Sequence, residues 1–448
     1  MKKLFLIIIF AISLTTNAQN PEKKNFEFSL QQAIDHALKN NYKSINAARD
    51  IESSIQKKRE TTAIGLPQIS GGMDFLHNFV LQQQGVTGNA FNPFGSPDDV
   101  ATIAFGTKNT MIARATLTQL IFDGSYIVAL QASKAYLAFF QTAKKKTDND
   151  IREMVVNAYG NVLLSEESIK ILESNKLILD KNYNDVNQIY KNGLGELEAV
   201  EQIAITQATV NSSLSNVKRL REISLNMLKL NLGIDLGDDL KLTENLDNLS
   251  TSNLSLLADK SAFDIKNNIE YQVTSSVVEQ RRLLLKLEKS KALPSLGLAA
   301  NLGYNAFSNQ FTFLNSNQKW NNYSNLGISL SIPIWSSFSY QAKVQQAKIA
   351  YDQAQTSQKE AEQGIKLLYE KSKSDFDFSI EQYATAKSNL SLAQRIEKKQ
   401  QIKFKEGLST SFEFSEAQRQ LYATQQTYLQ SMVDIINKKA ALEKLTIK

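Results

Sequence analysis

The sequence predicts a mainly α-helical protein that also carries four short β-strands, built as one helix–hairpin–helix–helix unit used twice. Three observations predict it: landmarks recur at nearly constant spacing, two very long stretches lack helix breakers, and several segments alternate in polarity with period two. In the first half Leu66-Pro67 closes a polar helical stretch, Leu120-Ile121-Phe122 closes a strand-like run, and Tyr190-Lys191-Asn192-Gly193-Leu194 interrupts a long helix. The second half answers with Leu293-Pro294, Pro333-Ile334-Trp335 and Phe404-Lys405-Glu406-Gly407-Leu408. Phe122 and Trp335 lie 213 positions apart, Gly193 and Gly407 214, and Pro67 and Pro294 227. The 14 residues separating 227 from 213 belong to the first hairpin, where a loop absorbs extra length.

In chain order, residues 1–18 read as a secretory signal: Lys2 and Lys3, the apolar run Leu4–Ile12, then Thr16-Asn17-Ala18 before the cut. The run is far short of the ~20 residues that would span a membrane as a helix. The first repeat occupies 19–232: a leading helix at 30–64, a hairpin at 65–122, a long helix at 126–191 and a return helix at 196–232. Between Tyr126 and Tyr190 there is no Pro and one Gly, Gly160, so the helix has nothing to stop it. Gly193 ends it, because a left-handed residue closes a helix cheaply. Residues 233–261 are rich in Asp, Asn and Ser and read as a connector with little helix of its own.

The second repeat, 262–448, repeats the pattern with a helix, a hairpin at 294–335, a long helix at 338–405 and a return helix at 410–446. Each long helix is about 100 Å if continuous at 1.5 Å per residue. Ala347, Ala350, Ala354, Ala361, Ile365 and Leu368 recur at threes and fours, a seam that lets helices approach closely as in a coiled coil.

The strands alternate. Leu296, Leu298, Ala300, Leu302, Tyr304 and Ala306 share one face, and Ser295, Gly297, Ala299, Asn301, Gly303 and Asn305 the other. Leu326, Ile328, Leu330, Ile332 and Ile334 oppose Asn325, Gly327, Ser329 and Ser331 in the partner strand. The first-half strands, near Leu66–Leu81 and Asn109–Phe122, alternate less cleanly. Such runs match the ~9–11 residues of a tilted membrane strand with a lipid face and a wet face. The alternative is an ordinary hairpin resting on a soluble core. Four strands cannot close a barrel, since the smallest closed barrels have about eight. If the strands lie in membrane, other copies must complete the sheet. Phe122 and Trp335 sit where strand passes into helix, as interfacial aromatics do.

Composition narrows function. A formal charge of +6, falling to +4 without the signal, is spread over mixed-sign helices and makes no case for nucleic acid. The chain has no Cys, so a disulfide framework, a Cys nucleophile and a lipid-acceptor Cys are excluded. Its two histidines, His36 and His77, read as surface or lumen residues. No phosphate-binding Gly loop or dinucleotide fingerprint is present, and no cofactor is implied.

Taken in order, these features resemble the TolC-like outer-membrane channels of efflux and type I secretion systems, over nearly the whole mature chain. The resemblance rests on Ser29-Leu30-Gln31-Gln32-Ala33 with Ala37-Leu38-Lys39-Asn40-Asn41, and on the Leu-Pro pair before each hairpin. Thr118-Gln119-Leu120-Ile121-Phe122-Asp123-Gly124, its echo Ser331-Ile332-Pro333-Ile334-Trp335, and the two glycine breaks complete it. It implies a homotrimer whose strands form a twelve-stranded β-barrel in outer-membrane lipid, continued by an α-helical barrel across the periplasm. It also implies a periplasmic adaptor (membrane fusion) protein and an inner-membrane pump of RND or ABC type as partners. The chain would then be a passive exit duct and not an enzyme. Many relatives are lipoproteins; without Cys this chain is not.

The resemblance further places a periplasmic gate at Glu413 and Glu416, six and nine residues after Gly407. Where the family pattern has an Arg two positions after that glycine, this chain has Ser409. Glu196, Glu198 and Glu201 at the first break do not match the ring, and Ala199 stands six after Gly193. The competing account of all these acids is that they complement a helix dipole, worth ~0.3–1 kcal/mol each. The tip residues Gly193, Leu194, Leu197, Gly407, Leu408 and Phe412, with Phe414, either contact the adaptor or pack between protomers. Two other classes compete with a channel. A soluble periplasmic coiled-coil adaptor would not need duplicated alternating hairpins, and a secreted enzyme would need a catalytic constellation.

Overall fold

The computed structural model describes residues 23–255, apart from 88–93, 95 and 97, and residues 263–446. The signal at 1–18, the end of the connector from 256 and most of the first hairpin's loop tip lie outside the described residues. The chain runs β1 (Asn25–Phe28), α1 (Leu30–Asn40), α2 (Tyr42–Ala63), β2 (Gln68–His77), β3 (Gln83–Thr87), β4 (Val100–Ala104) and β5 (Asn109–Asp123). It continues α3 (Gly124–Lys191), α4 (Leu197–Leu232), β6 (Asp239–Leu242), α5 (Leu246–Ser255) and α6 (Ile269–Ser290). Last come β7 (Ser295–Ser308), β8 (Asn321–Ser331), α7 (Ser339–Lys405) and α8 (Ser411–Thr446). Two compact units share these elements: one takes 51–140 and 274–358, the other the remaining residues.

The first unit holds a four-stranded sheet in the order β2-β5-β7-β8, antiparallel throughout. The two hairpins are therefore joined through β5 and β7, and among the described residues β2 and β8 each keep one unpaired edge. Register carries the alternation across all four strands. Ile69, Leu117, Ala300 and Leu326 are successive partners on one face, and Ser70, Thr116, Asn301 and Asn325 on the other. The aliphatic face is open in the protomer, with Leu326 68% and Ile328 70% exposed. A row of apolar side chains left this bare in water would be an aggregation hazard, so a covering medium or partner is required. Near the end of β5 a bulge between Leu120 and Phe122 shifts the register with β7, and the ladder runs on to Asp123 opposite Ser295. The Asp123 carboxylate then accepts from the backbone N–H groups of Ser125 (2.6 Å) and Tyr126 (3.1 Å), capping α3 directly off the strand. The long first loop contains a further antiparallel pair, β3 with β4, that periodicity did not single out.

The second unit is helical, around a core in which Ile151, Val155, Tyr159, Val162, Leu228, Leu232, Val433 and Ile435 are wholly out of solvent. The continuous leading helix expected over 30–64 is in fact two helices, broken at Asn41. Asn41 donates from Nδ2 to the Asn231 carbonyl (2.7 Å) and accepts on Oδ1 from Lys43 N–H (2.8 Å). Asn268 does the same one repeat later, donating to the Leu445 carbonyl (3.0 Å) and accepting from Glu270 N–H (2.9 Å). A buried amide thus caps the second helix of each repeat and ties it to the return helix.

The stretch read as a connector begins the second repeat instead. Its β6 pairs parallel with β1, Asn25 opposite Asp239 and Phe28 opposite Leu242, each 214 positions apart. The partners are therefore the same position of the two repeats. After β6 comes α5, the counterpart of α1, in a segment expected to hold little helix. By Asn41 and Asn268 the offset is 227, so the second repeat carries 13 extra residues between α5 and α6 where the first carries its extra length in the hairpin.

Candidate functional site

At the far ends of the long helices the two repeats make the same turn. Gly193 N–H donates to the Tyr190 carbonyl (2.8 Å) and Leu194 N–H to that of Ile189 (3.0 Å). Gly407 and Leu408 repeat both bonds, to Phe404 (3.1 Å) and Lys403 (2.8 Å). This is the paired closure of a helix over a left-handed residue, with φ of 73° at Gly193 and 69° at Gly407. Leu194 and Leu408 project beyond the turns, 80% and 76% exposed, and Leu197 and Phe412 are also exposed. Phe414 differs from them: it is buried and stacks on Phe404 at 5.2 Å, so it holds its own hairpin together and offers nothing to a partner. A cavity of about 470 Å³ runs between the two tips, lined by Ile189, Leu194, Phe404, Gly407, Ser409 and Phe414 among others.

Glu413 and Glu416 lie on the exposed face of α8, opposite the buried Phe414, Ala417 and Gln418. Glu413 is also a cap. Its Oε2 accepts from Thr410 N–H (3.1 Å), while Thr410 Oγ1 accepts from Glu413 N–H (3.2 Å). The sequence Thr410-Ser411-Phe412-Glu413 is a capping box, a signal that the reading by resemblance passed over. The Ser409 hydroxyl, 2.7 Å from Glu413 Oε2 and 3.2 Å from Gln400 Oε1, bridges the cap to α7. The Ser409 hydrogen bond, then that from Thr410 N–H, holds the Glu413 carboxyl below the usual carboxylate range. Glu416 pairs with Arg419 one turn along. At the first break Glu198 accepts from Gln202 Nε2 (3.0 Å), and Glu196 precedes α4 without a side-chain cap bond.

The small-residue face of the sheet is polar and internally bonded. Thr116 Oγ1 donates to Asn301 Oδ1 (2.7 Å), Asn301 Nδ2 to Asn325 Oδ1 (2.9 Å), and Arg114 pairs with Asp74 (3.0 Å). Phe122 and Trp335 are exposed at the strand–helix transitions, Trp335 edge-on to Phe338 at 5.1 Å. His77 lies on the sheet beside Asn109 (2.6 Å) and His36 against Phe28 (5.0 Å), neither near a nucleophile pair. Among the described residues no helix is long and apolar enough to cross a membrane.

Residues 266–446, most of the second repeat, match the family model described as outer membrane efflux protein. That stretch, under half of the chain, is similar to the outer membrane efflux proteins. No curated protein sequence matches the chain. Among solved structures, CusC aligns over 94% of this chain and 92% of its own with a TM-score of 0.74 and 18% identity. VceC of Vibrio cholerae aligns over 93% and 96% with a TM-score of 0.70 and 15% identity. The outer membrane channel CmeC of Campylobacter jejuni aligns over 93% and 85% with a TM-score of 0.72 and 17% identity. The fold shared with these structures extends over both repeats.

Proposed function

We propose that this chain is an outer membrane efflux protein, three copies of which form one passive duct through which substrate crosses periplasm and outer membrane without chemistry. The observation that carries the reading is the pair of unpaired edges, β2 and β8, on a sheet whose aliphatic face is bare. An antiparallel sheet with an even number of strands has edges that run in opposite directions. The β2 edge of one copy therefore meets the β8 edge of the next in antiparallel register, and the contact repeats head to tail until the ring closes. One copy supplies four strands, too few to close, and three supply twelve. Closure satisfies every edge N–H and C=O in lipid, where each unpaired group costs several kcal/mol.

In this assembly the small-residue face lines the lumen, and Phe122 and Trp335 form an interfacial girdle. Glu413 and Glu416 ring the periplasmic mouth as its gate. The tips at Gly193, Leu194, Leu197, Gly407, Leu408 and Phe412 meet a periplasmic adaptor, and an inner-membrane pump of RND or ABC type supplies the energy. The test is the state of the mature chain in mild detergent and in membranes. A trimer that fractionates with outer membrane and resists carbonate is expected. A stable, water-soluble monomer would sink the reading.

A further inference from the structure

One row across the sheet reads Gly72, Arg114, Gly303, Tyr323, each directly opposite the next. Two glycines alternate with two large side chains, and the large ones lie over the glycines. A Cβ placed on Gly303 would fall 2.7 Å from Cε1 and 2.8 Å from Cζ of Tyr323, so the phenol ring rests on that glycine. A Cβ on Gly72 would come within 3.9 Å of Arg114 Nε, and the guanidinium reaches on to Asp74 Oδ2 at 3.0 Å. Arg114 leans from β5 onto β2 and Tyr323 from β8 onto β7, the same way round the sheet. The next row, Thr116–Asn301–Asn325, directs its hydrogen bonds along the wall as well.

We propose that Gly72 and Gly303 set the bore of the duct at this level. They are resting places that let Arg114 and Tyr323 lie flat on the wall instead of standing into the lumen, while Asp74 cancels the guanidinium charge. The level is then wide and close to neutral, and passes cargo by size without an anion-binding ring. The inference rests on the reading that this face lines the lumen.

Single-channel recording of the mature trimer in planar bilayers tests it. Arg114→Ala and Tyr323→Ala should leave conductance near wild type, since a side chain already flat on the wall obstructs nothing. The Arg114 variant should also shift the reversal potential toward cations as Asp74 loses its partner. Gly72→Leu should lift the guanidinium off the wall, lowering conductance and shifting the reversal potential toward anions. Adding Arg114→Ala to Gly72→Leu should recover the conductance. Gly303 is not the position to alter, because a Cβ there would meet the Ala113 carbonyl oxygen at 2.6 Å. A clear rise in conductance in either alanine variant overturns the proposal, as does wild-type conductance in Gly72→Leu. Should Gly72→Leu fail to assemble, the alanine variants decide alone. The lumen reading is checked separately by Asn325→Cys, in a chain that has no cysteine of its own. Block of its current by a charged, water-soluble thiol reagent upholds that reading whatever the bore variants do, and absence of block removes it.

Discussion

Neighbouring residues of one strand have opposite tasks here, and Ile328 and Ser329 make the case most sharply. Ile328 is paired across the ladder with Leu298 on the aliphatic face, and Ser329 with Gly297 on the other. In the proposed assembly an arginine at Ile328 must place its charge in lipid, which costs roughly 2–4 kcal/mol near mid-membrane. Ser329→Arg adds a charge to a watered wall. We expect Ile328→Arg to lose assembled trimer on gels of outer membrane, while Ser329→Arg assembles and changes conductance. Equal assembly of both would reverse or abolish the inside–outside assignment. Alternation made this pair legible in the sequence, because period two depends only on the backbone pleat. What each wall residue leans on was not legible. Whether Arg114 stands up or lies over Gly72 depends on a glycine 42 positions away that register alone brings opposite.

At the scale of elements, the sequence showed the long helices and their glycine stops but not how the repeats meet. Absence of Pro over Tyr126–Tyr190 is a local fact, and α3 accordingly runs unbroken over 68 residues. Four-residue strands such as Asn-Phe-Glu-Phe and Asp-Leu-Lys-Leu are too short for periodicity to separate from coil; they exist because each pairs with the other. The glycines show the same division. Gly193 and Gly233 both have φ near 74°, but a Cβ at Gly193 meets open space while one at Gly233 would lie 2.1 Å from the Asn40 carbonyl oxygen. Gly193→Ala should therefore cost only the left-handed backbone penalty, roughly 1–2 kcal/mol. Gly233→Ala adds overpacking against the α1–α2 break, about 1–3 kcal/mol more. Thermal scans of the two variants at one scan rate should show the larger fall in midpoint for Gly233→Ala. Equal falls would mean that the α1–α2 break yields to the added methyl.

The whole molecule enters where, in the proposed assembly, three copies meet at one axis, and there the proposed gate makes its strongest claim. Each protomer would bring Glu413 and Glu416, which share one helical face three residues apart. Their common face was legible from spacing; the capping role of Glu413 and its link to Ser409 was overshadowed by the family pattern. That link changes the expected chemistry. A carboxyl held below its ordinary value of 4.5 contributes its stabilisation in full above that value and loses it only as pH falls through the lower folded value. The Glu413 charges should thus persist from pH 7 down to 5, and acid in that window should not relieve their mutual repulsion. Divalent cations should, by binding between the carboxylates. Glu416 contributes less, since exposed Arg419 offsets part of its field. Planar-bilayer recording with Mg²⁺ on the periplasmic side should show a cation-preferring current that divalents block, with little change between pH 7 and pH 5. Glu413→Ala with Glu416→Ala should lose both preference and block, and Glu413→Ala alone most of each. If the double variant retains wild-type selectivity and block, these carboxylates serve only to cap and charge the start of α8, and the constriction is made by other residues.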